Sequence, residues 1–343
     1  MTERRPKRPT ISDVAELAGV SKGAVSRSFN GAARLSPATV ERIRAAAAEL
    51  GWMPSAAARA INGAPAHAIG VVLRRPPELL ELDPFFAAFL AGAEGVFAAQ
   101  GYAVILRFVD TAEDERDCYR QLVAERRVDG FLINDLRQPD FRFKLLEEMG
   151  QSAVVVGRPG ARCPFPSVDS DSDAAVESLL QHLIESGHRI IGHVSGSPSL
   201  QHSRHRVRLW RDTLQANGLP AGPLAVGHFT AAGGAAATDE LLRQQERPTA
   251  IFYGNDVMAV AGLAMMSDRG LVVPDDVAVA GFDGVSIASY TSPPLTTVQC
   301  NYRAVGHAAA DLLLNQIAGE RAPHRVLVPA ELRLRRSTGA SAQ

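Results

Sequence analysis

Residues 10–31 read TISDVAELAGVSKGAVSRSFNG and predict two short helices joined by a tight turn. The first helix is expected to begin at Ser12, its N-cap, and to end at Ala18, because apolar residues recur at helical spacing between them. Gly19 permits the tight turn that follows. A further apolar segment, VERIRAAAAELGWMP at residues 40–54, supplies a third helix. The stretch therefore predicts an all-α helix-turn-helix unit.

The second helix of this unit carries small polar and basic residues at its start. Ser21 is expected to cap it, and the residues after Ser21 are expected to face outward while Val25 and Phe29 face the core. A helix placed in this way enters the major groove of DNA, where Lys and Arg donate to guanine and Ser reaches base edges or phosphate. The DNA contacts predicted within the unit are Ser12, Ser21, Lys22, Gly23, Ala24, Ser26, Arg27 and Asn30.

Charge is distributed unevenly along the chain. Residues 1–63 hold ten Lys or Arg and five acidic residues, so this segment carries +5 and the remainder carries −6. A solvated polar face is the alternative interpretation of the short helices, but a basic unit joined to an acidic body is typical of a protein whose first segment meets DNA phosphates.

Three segments, TISDVAELAGVS, VSRSFNG and GWMPSAAARAI, closely resemble the headpiece and hinge of the lactose and galactose repressor family, and the resemblance continues along the whole chain. It implies that residues 54–61 form a short hinge helix that orders only on the operator, in the minor groove. Ala58, Arg59 and Ile61 complete the predicted DNA-contacting set. Ile61 stands where the family usually has a Leu wedge, and its alternative role is that of a linker residue packed on the body.

From Ala68 onward, short apolar strands alternate with longer helices. The predicted strands are AIGVVL, YAVILRF, VDGFLI, SAVVVG, RIIGHVSG, TAIFYG, VAVAGFD and TTVQC, and the helices include FFAAFLAGAEGVFAAQG and DAAVESLLQHLIESG. Continuous Val and Ile strands between amphipathic helices indicate parallel sheets covered on both faces. Because about 270 residues of this pattern exceed one small core, the sequence predicts an α/β body of two doubly wound lobes.

The resemblance adds a domain plan of the kind seen in periplasmic binding proteins, with three chain crossings between the lobes. It places a headpiece at residues 1–53, a hinge at 54–63 and a two-lobe body at 64–343. Lobe 1 is predicted at 68–168 and 299–324, and lobe 2 at 169–298 and 325–336. A cleft between two such lobes is a natural site for a small ligand.

Polar residues that end the predicted strands are candidate ligand contacts in this cleft. Asn134 closes one strand, Arg158 follows another, and Asp283 ends a third. Arg206 matches a family arginine that holds sugar hydroxyls or a carboxylate, and aromatic residues can stack on sugar C–H surfaces. The complete predicted effector set is Phe85, Phe86, Asn134, Arg158, Asp171, Arg206, Trp210, Asn255, Asp256, Asp283 and Tyr302.

Some of these residues have a structural alternative. Phe86 is equally suited to core packing, and Asn255 with Asp256 can cap the helix that they open. The sequence also departs from the family pattern at Leu209, where Gly is frequent, and at Gly157, where Asp is common. Both departures bear on which ligand fits.

Other chemistries find no support in the sequence. A histidine cluster at residues 182–205 has neither HExxH nor zinc-finger spacing, so no metal is expected. No phosphate-binding glycine loop follows the first strand and no GxSxG sequence occurs, so neither an enzyme nor a cofactor is predicted. Three widely spaced cysteines exclude a disulfide framework. The first residues lack a signal-peptide apolar region and no long apolar run occurs, so a cytoplasmic protein without a membrane segment is expected.

Together these features predict a DNA-binding transcriptional regulator, a repressor of sugar uptake or catabolism genes that a sugar or sugar derivative releases from a palindromic operator. A homodimer is expected because two identical reading helices need two half-sites, and because the chain ends in LRLRRSTGASAQ without the Leu-rich helix of tetrameric family members. The alternatives are a purine or other non-sugar corepressor, a constitutive regulator with a silent cleft, and an enzyme on a two-lobe body.

Overall fold

The computed structural model describes residues 9–29, 35–53, 65–75, 84–160 and 162–340. Its first part is a unit of three helices, α1 (Ile11–Ala18), α2 (Lys22–Phe29) and α3 (Pro37–Glu49). They enclose a small apolar core, to which Val14, Val25 and Ile43 each contribute a fully buried side chain.

The start of α1 differs from the prediction, because Thr10 and not Ser12 precedes the helix. The Asp13 carboxylate accepts the Thr10 N–H at 2.6 Å and the Thr10 hydroxyl at 2.8 Å, which closes the first turn. At the other end, Gly19 has a φ of +64°, the left-handed conformation that favours glycine and turns the chain into α2.

The rest of the described chain forms two α/β lobes. Lobe 1 comprises β1 (Ala68–Leu73), α4 (Pro84–Ala99), β2 (Ala103–Phe108), α5 (Ala112–Ala124), β3 (Gly130–Ile133), α6 (Phe141–Glu148), β4 (Ser152–Val156), β5 (Ser167–Asp171) and α11 (Tyr302–Ile317). Lobe 2 comprises α7 (Asp173–Glu185), β6 (Ile191–Ser195), α8 (Gln201–Ala216), β7 (Leu224–Val226), α9 (Ala231–Leu242), β8 (Ala250–Tyr253), α10 (Asp256–Asp268), β9 (Ala278–Asp283) and β10 (Thr296–Cys300).

A single strand, β11 (Arg325–Arg333), joins the sheets of the two lobes. The strand order is β2-β1-β3-β4-β5-β11-β10-β9-β8-β6-β7. Residues 325–329 pair in parallel with β5, and residues 330–333 pair antiparallel with β10, while the other neighbouring strands are parallel. The carboxyl ends of the strands in both lobes therefore open toward the space between them.

Close packing of α4 against α11 fixes one edge of that space. A Cβ at Gly92 would lie 2.0 Å from the Arg303 carbonyl oxygen, and one at Gly306 would lie 2.0 Å from the Phe89 carbonyl oxygen. Only glycine allows these backbones to approach so closely. The approach brings the Phe85 ring against Tyr302, the first residue of α11, with the ring centroids 4.8 Å apart.

Candidate ligand cleft and DNA-binding helix

A cavity of about 170 Å³ lies between the lobes, at the carboxyl ends of their strands. Seven of the residues predicted from the sequence line it: Phe85, Asn134, Arg158, Arg206, Asn255, Asp283 and Tyr302. They come from both lobes, so the cavity exists only where the two lobes face each other.

Four of the predicted contacts do not line this cavity. Phe86 is fully buried in the core of lobe 1, and Trp210 is fully buried in the core of lobe 2. Asp171 is exposed at the end of β5, and the preceding Ser170 lines the cavity instead.

Asp256, the fourth of these residues, lies beneath the cleft. Its carboxylate accepts the backbone N–H groups of Gly284 and Val285, both at 2.9 Å, and the Thr297 hydroxyl at 2.7 Å. These bonds fix the chain immediately after Asp283, so Asp256 holds a cleft wall without touching the cavity.

Asn134 is the most informative cleft residue. It follows β3 directly, and its side chain is 1 % exposed. Neither its amide nitrogen nor its amide oxygen has a hydrogen-bond partner within the described residues. Because a buried amide without partners costs about 1–3 kcal/mol, the residue is well placed to bind a polar ligand group.

The side chains of Asp283 and Tyr302 form a second polar wall. The Tyr302 hydroxyl donates to the Asp283 carboxylate at 2.6 Å. Burial, and then the neighbouring Asp283 charge, raise the pKa of Tyr302 well above its usual range, so the phenol stays protonated. Asp283 itself has a φ of +112°, a conformation that L-residues rarely adopt and that is typical of functional sites.

Two lining residues of lobe 2 are held by local contacts. The Arg206 guanidinium lies 3.5 Å from the centroid of the Phe282 ring and donates to the Gly254 carbonyl at 2.8 Å. The Asn255 side chain caps α10 by accepting from the Met258 N–H at 2.9 Å, the alternative role considered for it. Arg206 is thus held against the cavity wall, whereas the side-chain carbonyl oxygen of Asn255 caps α10.

An ion-pair group between the lobes surrounds Arg158. Its guanidinium donates to Asp173 at 2.6 Å and to Asp169 at 3.4 Å, and the His205 ring lies 2.9 Å from the Asp173 carboxylate. Burial alone would raise the pKa of Asp173, but hydrogen bonds from Arg158 and His205 outweigh it and lower that pKa. Arg158 therefore links β4 of lobe 1 to α7 and α8 of lobe 2.

The remaining charged pair was not predicted. Arg75, just after β1, donates to both carboxylate oxygens of Asp135 at 2.8 and 2.6 Å. The charged lining residues comprise four arginines and four aspartates, so their formal charges balance: Arg75, Arg158, Arg206, Arg208, Asp135, Asp169, Asp173 and Asp283.

Sequence reasoning also missed the first turn of α8. Gln201, His202 and His205 line the cavity together with Arg206, and the Phe229 ring lies 5.3 Å from that of His202. The four-residue spacing of His202 and Arg206 places them on one helix face, and this signal was available in the sequence. The two histidines were instead grouped with others in a cluster that was considered for metal binding and rejected on its spacing.

In the three-helix unit, α2 presents the predicted DNA-reading residues. Ser21 accepts the Ala24 N–H at 3.2 Å, and Lys22, Gly23 and Arg27 are exposed. Ala24, by contrast, is buried in the small core. Ser12 and Ser26 are partly buried, while Asn30, Ala58, Arg59 and Ile61 lie outside the described residues.

No three or more His, Cys, Asp or Glu side chains of the described chain come together as a metal site. Among the helices that are described, none has the length and apolar character needed to cross a membrane.

Comparison with known proteins agrees with this architecture. Residues 10–55 match the family described as bacterial regulatory proteins, lacI family, and residues 180–338 match a periplasmic binding protein-like domain. The HTH-type transcriptional regulator CelR of Thermobifida fusca is 34% identical over 98% of this chain and 99% of its own. The HTH-type transcriptional repressor CytR of Escherichia coli is 30% identical, and the match covers 96% of each chain.

Solved structures extend the comparison. The lac repressor dimer bound to operator and the anti-inducer ONPF is 29% identical, with a TM-score of 0.85 over 97% of this chain and 100% of that one. The transcriptional regulator CelR–cellobiose complex is 32% identical, with a TM-score of 0.73 over 96% of this chain and 100% of that one. The three helices and the two-lobed body are thus the fold of a helix-turn-helix regulator with a periplasmic-binding-protein-like domain. The chain belongs to the lacI family of bacterial regulatory proteins.

Proposed function

We propose that this protein is a cytoplasmic transcriptional repressor that binds a near-palindromic operator as a homodimer and is released by a sugar. The proposal includes the predicted headpiece at 1–53, hinge at 54–63 and two-lobe body at 64–343. Exposed Lys22 and Arg27 on α2 support base reading in the major groove. The lac repressor structure, a dimer on operator, supports the proposed assembly by analogy.

The observation that carries the ligand proposal is the buried amide of Asn134, which has no hydrogen-bond partner among the described residues and faces a cavity edged by aromatic rings. An amide both donates and accepts, which matches a sugar hydroxyl, and the Phe85–Tyr302 pair suits the C–H face of a sugar ring. The cavity of about 170 Å³ would hold on the order of a dozen water-sized groups, comparable to the non-hydrogen atoms of one hexose.

Charge balance favours a neutral ligand over a phosphorylated one. Arg75 and Arg158 are paired with aspartates, and Asp283 accepts the Tyr302 hydroxyl, so the cleft offers no excess of positive charge to an anion. Arg206 would donate to sugar hydroxyls from its position on the Phe282 ring. The CelR–cellobiose complex, a structure of a relative, fits this choice of ligand class.

A planar base is the second candidate ligand. The rings of His202 and Phe229 are tilted by 31° with centroids 5.3 Å apart, and such aromatic faces stack equally well on a purine. The same DNA-binding role would then be controlled by a corepressor or inducer of a different class.

Release from DNA would follow from linkage between the two sites. A ligand that binds better to one relative orientation of the lobes shifts the protein toward that orientation, and the paired hinges would then order less readily on DNA. The coupling is reciprocal, so a releasing ligand must bind less tightly to the DNA-bound protein.

The decisive experiment is fluorescence anisotropy of the full chain on DNA from its own upstream region. The DNA complex is titrated with monosaccharides, disaccharides, their phosphates and purines. Release or tightening by a neutral sugar supports the proposal, a response to purines alone supports the second candidate, and DNA binding indifferent to every compound contradicts ligand control.

A variant pair identifies the site. Arg206→Ala should abolish the response while operator affinity is kept, because Arg206 lines the cavity. Arg211→Ala, exposed on the same helix, is the matched control and should respond normally. An unchanged response in Arg206→Ala would show that the ligand binds elsewhere.

A further inference from the structure

The loop between β3 and α6, residues 134–140, contacts both the cavity and the opposite lobe. Its first residue is Asn134, whose amide lies at the cavity without hydrogen-bond partners among the described residues. Two residues later, the Leu136 carbonyl accepts the backbone N–H of Gln201 in lobe 2 at 2.8 Å. The Arg137 guanidinium donates to the Ser199 hydroxyl of lobe 2 at 3.0 Å. The β3–α6 loop therefore bridges the lobes beside the cavity.

The partner of this loop in lobe 2 is the start of α8. Gln201 is the first residue of that helix, and Arg206 lies on the same helix little more than one turn later. The first N–H groups of a helix have no acceptor within the helix. The Leu136 carbonyl therefore accepts the Gln201 N–H, a donor that has a protein acceptor only when the lobes are closed.

Arg142, on α6, holds the base of the loop from inside lobe 1. Its guanidinium is buried and donates to the carbonyl oxygens of Asn134 at 2.8 Å and Asp135 at 3.1 Å. It also forms a two-point ion pair with Asp140, at 2.8 and 2.6 Å, and contacts Glu115 at 3.3 Å. One side chain thus holds the backbone at the start of the β3–α6 loop and the carboxylate of the residue at its end.

Asp140 completes this arrangement. It accepts the backbone N–H of Arg137 at 3.1 Å and that of Arg142 at 3.2 Å, so it caps α6 and closes the loop on itself. The Asp140 carboxylate accepts hydrogen bonds from one guanidinium and two backbone N–H groups, which leaves the loop little freedom to move independently.

We propose that the β3–α6 loop is a clasp between the lobes, with Arg137 as its contact to lobe 2 and Arg142 as the positioning residue that sets its shape. The clasp completes the cavity wall at Asn134 when it closes. This inference deepens the proposed function, because it identifies residues outside the ligand contacts that set the equilibrium between open and closed lobes. Its test needs neither DNA nor ligand, so it can fail or succeed independently of that function.

The test is hydrogen exchange of the Gln201 backbone amide in the full chain, because this amide donates to Leu136 across the lobes. Arg137→Met keeps the length of the side chain and removes its donors. Loss of one net hydrogen bond should speed exchange at Gln201 by about 2- to 10-fold. Arg137→Lys, which restores a charged donor, should return exchange toward the wild-type rate. Lys144→Ala, exposed on α6, is the matched control.

Two measurements separate a clasp from a general contribution to stability. A double-mutant cycle of Arg137→Met with Ser199→Ala should be non-additive, because both changes remove the same contact. The free energy of unfolding in urea should fall by no more than the free-energy change that the faster exchange at Gln201 implies, because only the lobe contact is lost from the closed state. Unchanged exchange in Arg137→Met, additive effects in the cycle, or a loss of unfolding free energy larger than the change at Gln201 would each overturn the proposal.

The positioning role of Arg142 has its own variants. Arg142→Lys keeps a positive charge beside Asp140 but cannot donate to both carbonyls of the loop, so exchange at Gln201 should rise at least as much as in Arg137→Met. Asp140→Asn serves the same purpose if the lysine variant does not fold, because it weakens the pair and keeps an acceptor at the helix N-cap. Wild-type exchange in a folded variant of either kind would contradict the role assigned to Arg142.

Discussion

Replacement of Gly92 by alanine should destabilise lobe 1 strongly, because the new Cβ would lie 2.0 Å from the Arg303 carbonyl oxygen of α11. Ordinary carbon contacts lie at about 3.5–4.0 Å, so the helices would have to separate by roughly 1.5 Å. Both contact atoms belong to helix backbone and cannot step aside as a flexible side chain can. Overpacking of this kind costs about 1–3 kcal/mol or more, and the upper end is expected because the shared core of α4 and α11 opens with the displacement.

The matched control lies one turn along the same helix. A Cβ at Gly95 meets no atom within 4 Å, so Gly95→Ala should gain about 0.5–1 kcal/mol from helix propensity alone. The two variants should therefore differ by about 3–4 kcal/mol in the free energy of unfolding, although each adds one methyl group to α4.

Urea unfolding followed by circular dichroism measures this difference. The measurement is repeated at several protein concentrations so that any subunit contact on α4 is separated from the packing of α4 on α11. The same displacement would move Phe85 relative to Tyr302, so Gly92→Ala should also weaken binding in the cleft. Equal stability of the Gly92 and Gly95 variants would refute the close-approach argument.

Three further predictions concern the cleft and the DNA-binding helix. Asn134→Leu should leave the stability of the unliganded protein unchanged or raise it by about 1 kcal/mol, because it removes a buried amide that has no partner among the described residues. It should also weaken the response to sugar, and a marked loss of stability by urea unfolding would contradict this prediction. Arg27→Ala should reduce discrimination between the operator and single-mismatch sites by about 1–3 kcal/mol, measured by anisotropy, whereas a uniform loss on all sequences would indicate a phosphate contact instead. The pKa of Asp173 is lowered in the folded protein, so its contribution to stability is present above the unfolded pKa of about 3.9 and is lost as pH falls through the folded value. Asp173→Asn should therefore flatten the dependence of unfolding free energy on pH below about pH 4. The same pH dependence in the variant and the wild type would show that the ion-pair group contributes nothing.

The strands that the sequence predicts best are those buried on both faces. The segment AIGVVL matches β1 residue for residue, because a continuous apolar run in this length range has few other uses. The segment TTVQC also matches β10 residue for residue, although its Gln is exposed. By contrast, β5, β7 and β11 were not predicted. β5 reads SVDSD, β7 has three residues, and β11 contains Pro and several charges, since it bridges two sheets and is open to solvent over much of its length. These strands are defined by their neighbours and not by their own hydrophobicity.

The sequence predicted those cleft residues that stand at the end of a strand. Asn134 and Asp283 were predicted for this reason, because parallel strands of one sheet direct their carboxyl ends to one edge. Helix positions were harder, since adjacent residues on a helix point about 100° apart. Phe85 therefore lines the cavity while Phe86 enters the core. The pairing of Arg75 with Asp135 joins residues that are distant in sequence, and nothing in either segment indicates the other.

The route of the chain through lobe 1 constrains how the protein is made. The core of lobe 1 includes Val305, Ala309 and Leu313 of α11, which follow the whole of lobe 2 in the sequence. A ribosome that has synthesised β1 to β5 has therefore not yet supplied the helix that covers one face of their sheet, and it must first produce about 130 more residues. Lobe 2 can complete its parallel strands earlier, so the nascent chain should fold its second lobe before its first. Until α11 emerges, the apolar strands of lobe 1 need a temporary cover, and a nascent chain stalled before residue 302 should bind chaperones that the released full-length chain does not.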